Sequence, residues 1–189
     1  LDPNDAQVYH CLSQVFVEKG KLAATAGSRS EQAAARKQAD EILAEGARAA
    51  KDVPDVHIDV LTRKLEAVQD GTIAAAREQM KSLESEYEGL TQRFASSPQA
   101  FAAKAQFYSC FAACLDSASA MGELDKAIAA AGQASRLDPD NAEYAILAGG
   151  YRYRKASIYG DAASLHGAID LADEALKLPD AQDTPGPTQ

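Results

Sequence analysis

Five consecutive residues, Tyr151, Arg152, Tyr153, Arg154 and Lys155, set three cations among aromatics in a chain whose formal net charge is −9. Arg and Tyr are enriched where binding energy concentrates. The stretch therefore reads as a contact surface for an acidic partner segment. The plainer alternative buries Tyr151 and leaves the cations solvated or paired with local carboxylates. Cys110 and Cys114 stand four apart on an expected helix, which is half a metal site or a redox pair. A metal needs further ligands and no histidine lies near in sequence, so two small packed residues is the simpler reading. With Cys11 the cysteines number three, which is no disulfide framework. His10, His57 and His166 fall in different segments, and no zinc-protease, P-loop, nucleophile-elbow or dinucleotide signature occurs. No catalysis, metal or cofactor is expected. Glu84, Glu86 and Glu88 read as a solvated face. Gly149-Gly150 lacks the preceding strand and following Lys-Thr/Ser of a phosphate loop, and reads as close helix packing.

The elements that position these residues follow from composition and period. The 189 residues are 46% hydrophobic, rich in Ala and without Trp. Ala loses least entropy in a helix and lets helices approach closely. The acidic balance disfavours nucleic acid, and no apolar run approaches the ~20 residues of a membrane span. Pro3, Pro54, Pro98, Pro139 and Pro179 divide the chain at spacings of 51, 44, 41 and 40 residues. Proline is common just past a helix end, and such spacing marks a stacked helical array.

Each interval divides into two helices. The first has Tyr9, Leu12 and Phe16, a loop near 26–29, and an Ala-rich helix through Ala49 that Ser28 and Glu31 would open as a capping box. The second has Ile58, Leu61, Leu65 and Val68, a break at Asp70-Gly71 with Thr72 as N-cap, then Ile73, Met80, Leu83, Tyr87, Leu90 and Phe94. The third has Phe101, Ala105, Tyr108, Ala112 and Leu115, a turn at Gly122, and a helix carried by Leu124, Ala127, Ile128, Ala131 and Ala134 to Leu137. The fourth has Tyr144, Leu147, Ala148 and Tyr151, a break near Gly160-Asp161, and a stripe of Leu165, Ala168, Ile169, Ala172, Ala175 and Leu176. Eight helices in four antiparallel pairs are expected, with no strand. Residues 181–189 read as a disordered tail.

The segment GELDKAIAAAGQASRLDPDNAEY, residues 122–144, resembles the second helix and exit loop of a tetratricopeptide repeat, through Gly122, Ala127, Ala134 and Pro139. Tyr9, Leu12, Ser13 and Phe16, with Gly20 at the turn, resemble its first helix. The intervals here exceed the family's period of about 34 residues. In the fourth unit a shift of one residue is needed to recover Tyr144, Leu147, Ala148 and Tyr151. The phrase LDP recurs at residues 1–3 and 137–139, so residues 1–3 read as the close of a preceding unit.

The resemblance implies an all-α, right-handed α-α superhelix over residues 1–180, in units of about 4–54, 55–98, 99–139 and 140–179 with elongated helices. It implies a protein-interaction scaffold that holds a peptide or protein segment in a concave groove lined by the first helix of each pair. Carried over, the groove falls near His10, Gln14 and Val17, near Ala102, Gln106 and Ser109, and near Gly149, Arg152 and Tyr153. The Lys and Asn with which some members clamp a terminal carboxylate are absent. The alternative role is a spacer or self-assembly module whose contacts lie on apolar array ends.

Overall fold

The computed structural model describes residues 5–69 and 73–178. They are all-α. The helices are α1 (Ala6–Thr25), α2 (Arg29–Ala49), α3 (Pro54–Gln69), α4 (Ile73–Arg93), α5 (Pro98–Ala113), α6 (Ser117–Leu137), α7 (Ala142–Tyr159) and α8 (Ala162–Ala175). No strand occurs among the described residues. The expected LDP phrase at 1–3, the Asp70-Gly71 break with Thr72, and the 181–189 tail lie outside them.

Short polar side chains start the helices. Asp5 accepts from the Gln7 amide, Ser97 from Ala100, Asp116 from Ser119, Asn141 from Glu143, and Asp161 from both Ala163 and Ser164. Each satisfies N–H groups that the first turn leaves without partners. Ser28 sits at the N-cap of α2 but makes no side-chain cap bond, so the expected capping box does not form. Two glycines stop or turn the chain where a left-handed backbone is needed: Gly27 at φ 75° after α1 and Gly160 at φ 67° after α7.

The glycines that the resemblance puts at turns are elsewhere. Gly20 is inside α1 and Gly122 inside α6; the turns lie at 26–28 and 114–116. The helices are therefore longer than the family pattern, because a good N-cap six residues before Gly122 starts α6 early.

Two compact units form, Leu1–Asp70 and Gly71–Gln189. The boundary lies within the 55–98 interval. In the first unit α1 packs on α2, and α3 packs on both. Ala35, Ala39, Leu43, Val56 and Leu65 are buried. Gly46 is the closest crossing: a Cβ there would lie 2.7 Å from Tyr9 Cβ and Cγ.

In the second unit each helix packs on the next from α4 to α8, and α5 also meets α7. The α5–α6 pair is the centre. Ala105, Ala127, Ala131 and Ala134 are fully buried, and Ala148 nearly so. Small side chains there let the helices approach, while Leu147, Tyr151 and Leu171 pack around the Ala105–Ala130–Ala131–Ala148 cluster. α5 is buried on more than the predicted stripe: Phe107 is fully buried and stacks on Tyr87 at 4.6 Å between ring centroids.

Part of the expected stripe of α8 is not core. Ala168 and Ala175 are buried, but Leu165, Ile169 and Leu176 are 41%, 52% and 68% exposed.

Candidate functional site: helix faces for a partner segment

The basic-aromatic stretch lies on α7, and helical spacing sends its members in different directions. Tyr151 is half-buried against the alanine cluster. Burial pushes its hydroxyl up to about 12, with the Cys110 thiol adding to the rise and Arg154 opposing it. Arg154 Nη1 donates to Ser109 Oγ at 2.7 Å and to the Ser109 carbonyl at 3.3 Å. Lys155 Nζ lies 2.6 Å from Asp125 Oδ1 and 3.6 Å from Asp161 Oδ2. The bond to Asp125 is the main cause of its raised pKa. Tyr153 points outward, 60% exposed.

Arg152 does not join them. A Cβ on Gly167 of α8 would lie 2.5 Å from Arg152 Nη1, so the guanidinium lies over that glycine. Its Nε is buried without a hydrogen-bond partner. Ser109 is buried beneath Arg154, while Gln106 is exposed on α5. Gly149 is buried, its absent Cβ directed at the Ala168 carbonyl and Leu171.

The exposed row of α7 is Ile146, Gly150, Tyr153 and Ser157. Spacings of four, three and four place them on one face. A Cβ on Gly150 would meet nothing within 4 Å. The residues that resemble a tetratricopeptide first helix put Tyr9, Leu12, Ser13 and Phe16 of α1 level with Tyr144, Leu147, Ala148 and Tyr151 of α7. In that register the matching row of α1 is Cys11, Val15, Glu18 and Leu22. All four are exposed, and with His10 and Gln14 they line a shallow, largely apolar depression of about 630 Å³. Both exposed rows therefore stand one residue beyond His10, Gln14 and Gly149. His10 itself turns to α3, its Nδ1 2.6 Å from Asp59 Oδ2.

The acidic run on α4 is not simply solvated. Tyr108 of α5 donates to Glu88 at 2.6 Å and to Glu84 at 3.3 Å. Lys104 lies 2.7 Å from Glu88, and Lys126 of α6 lies 2.8 Å from Glu84. Both ammonium groups also sit over the Tyr108 ring, at 5.9 and 5.0 Å. Burial and the two carboxylates raise the Tyr108 hydroxyl well above its ordinary value. Burial alone would raise Glu88; the bonds from Lys104 and Tyr108 and the nearby lysines outweigh it and hold the carboxyl below its ordinary range. The signal was present as i, i+4 pairs, Glu84/Glu88 facing Lys104/Tyr108, but only the fold shows that they meet.

The histidines lie on three helices: besides His10, His57 Nε2 is 2.9 Å from the Lys51 carbonyl and His166 Nδ1 is 2.8 Å from the Ala162 carbonyl. Cys114 Sγ contacts the Cys110 carbonyl at 3.5 Å. Among the described residues no group of three or more His, Cys, Asp or Glu is placed to hold a metal ion, and no helix is long and apolar enough to cross a membrane.

No protein-family model matches the chain, and no curated protein sequence matches it. Among solved structures it is similar to MamA, residues 41 to the end, from Desulfovibrio magneticus RS-1, at 18% identity and a TM-score of 0.32, covering 95% of this chain and 97% of that one. It is also similar to the MamA RS-1 ArsTM double mutant, at 16% identity and a TM-score of 0.30, covering 92% and 97%. A further MamA protein gives 16% and 0.30, covering 94% and 98%.

Proposed function

We propose that this chain is a protein-interaction scaffold of the tetratricopeptide-repeat type, with the exposed row of α7 as a seat for an extended peptide or protein segment. The observation that carries this reading is the shared register of α1 and α7. Two helices with the same residue pattern each present the same next row to solvent, and each row contains large apolar side chains: Val15 and Leu22 on α1, Ile146 and Tyr153 on α7. Fold alone does not specify a ligand. The row favours a segment with an apolar anchor beside Tyr153, and Arg154, next to the row and held by Ser109, favours an acidic residue in that segment.

Paired baits test the reading. One is wild type, one carries Gly150→Glu with Tyr153→Ala, and a third carries Arg136→Glu, an exposed cation on α6. A partner kept by wild type and the α6 variant but lost from the α7 variant is the expected result. Equal retention on all three baits refutes the assignment to α7.

A further inference from the structure

α4 and α6 both pack on α5, and between them lies an open cleft of about 500 Å³ with α5 as its floor. Spacings of three and four put Phe101, Lys104 and Tyr108 on the side of α5 that faces it. Phe101 is half-buried there. The exposed Ala129 and the buried Ala130 make the middle of the α6 wall small and apolar. The cleft extends along α6 from Lys126 to Arg136, about 15 Å at the rise of a helix. That length suits roughly 4–5 residues of extended chain.

The charges along the cleft are matched at one end and not at the other. Lys104 lies 2.7 Å from Glu88, and Lys126 lies 2.8 Å from Glu84 and 3.2 Å from Glu123. The Lys126–Glu84 bridge spans the cleft from α6 to α4. At the opposite end of the α6 wall Arg136 has a neutral partner: its Nε and Nη2 donate to Gln133 Oε1 at 3.1 and 2.7 Å. That contact directs the guanidinium without neutralising it. It also leaves Nη1 and the Gln133 amide NH2 to donate. Donors alone, with one positive charge, call for a group that only accepts and carries one negative charge, which is a carboxylate. A phosphate dianion suits the cleft less, because Glu84 and Glu88 stand in it.

We infer that the cleft between α4 and α6 seats an acidic segment of a partner protein, with a Glu or Asp carboxylate on Arg136 and Gln133 and the neighbouring apolar side chain against Phe101 and Ala129. An aromatic neighbour gains most from Phe101. The seat shares no residue with the exposed row of α7, so this reading and the proposed function can fail separately. The Arg136→Glu bait removes this seat and keeps the α7 row.

Amide chemical-shift titration of the full chain tests it with acetyl-Ala-Phe-Glu-Ala-amide, acetyl-Ala-Glu-Phe-Ala-amide and the same peptides with Gln for Glu. Saturable shifts at Phe101, Ala129, Gln133 and Arg136 are expected with at least one Glu peptide. Its Gln counterpart is expected to bind about tenfold more weakly, the cost of losing a hydrogen bond to a charged group. Arg136→Gln, at an exposed position, is expected to bring the Glu peptide down to the level of the Gln peptide and to leave the Gln peptide unchanged. Ala129→Phe, also at an exposed position, fills the cleft and is expected to abolish binding of both. The variants' own spectra check their folds. Phosphoserine in place of Glu is expected to bind no tighter. Shifts confined to Ile146 and Tyr153 would support the α7 seat and overturn this one. Equal binding of Glu and Gln peptides also overturns it, as does a Glu preference that survives Arg136→Gln, a tighter phosphoserine peptide, or the absence of any saturable shift at the cleft.

Discussion

Leu124→Ala and Leu165→Ala make the same chemical change at matched positions of α6 and α8, yet the structure separates their costs. Leu124 is 0% exposed, enclosed by Ala112, Ala120, Leu115 and Tyr159. Truncation removes its transfer free energy and leaves a cavity, which together cost about 2–5 kcal/mol. For a chain of this size that is a drop in melting temperature of about 4–20 °C. Leu165 is 41% exposed, so little more than half of the burial of a Leu is lost, and water fills the space without a cavity. Full burial of a Leu stabilises by roughly 1.5–3 kcal/mol, which leaves about 1 kcal/mol here. The assay is thermal and urea unfolding followed by circular dichroism, at a concentration low enough for sedimentation to show monomers. The midpoint for Leu124→Ala should lie well below that for Leu165→Ala, with similar urea slopes. Equal losses would falsify the burial difference between the two positions.

Other expectations follow from particular contacts. Gly46→Ala forces a Cβ against the base of the Tyr9 side chain, which cannot swing away, and should destabilise by about 1–3 kcal/mol in urea unfolding. Gly89→Ala meets nothing within 4 Å inside α4 and should stabilise by roughly 0.5–1 kcal/mol through helix propensity. Ala134→Arg places a charge at a fully buried position on α6, and a wild-type melting profile would count against the packed pair. For Glu88 the folded-state pKa is lowered from its ordinary 4.5, so its contribution is present above that value and is lost as pH falls through the lowered one. Glu88→Gln should therefore melt lower than wild type at pH 7 and lose less on acidification below pH ~4.5; parallel pH profiles for the two proteins would show that the carboxylate is not coupled to folding.

Much of the architecture was legible because helices announce themselves locally. The stripe Leu61–Leu65–Val68, the proline that opens α5, the end of α6 at Leu137 and the break at Gly160-Asp161 all rest on neighbours within a few residues of sequence. The turns expected at Gly20 and Gly122 failed for a local reason too. A glycine marks a turn only if something nearby stops the helix, and there Gly27 and Asp116 do it instead. The site was less legible because it depends on direction around a helix. Moving one residue along α7 rotates the side chain by about 100°, enough to take Gly149 from the α8 interface to Gly150 in the open. The same rotation separates Arg152, lying over Gly167, from Tyr153 in solvent and Arg154 on Ser109. Three adjacent residues thus have three different surroundings, and their clustering in sequence overstated their clustering in space.

The repeat itself explains what a single sequence conceals. Leu124 and Leu165 have nearly the same neighbours along the chain, so any reading of pattern must treat them alike, and both were expected in the core. Burial, however, is decided by the element that comes next. α6 is followed by α7, which supplies Tyr159; among the described residues α8 is followed only by the turn to Leu178. A stacked repeat completes the core of its predecessor, so α8 keeps a residue pattern written for a neighbour that the described residues do not include. The mismatch between pattern and burial at Leu165, Ile169, Ala172 and Leu176, while Ala168 and Ala175 stay buried, is therefore set by what packs beyond α8 and not by the pattern along it.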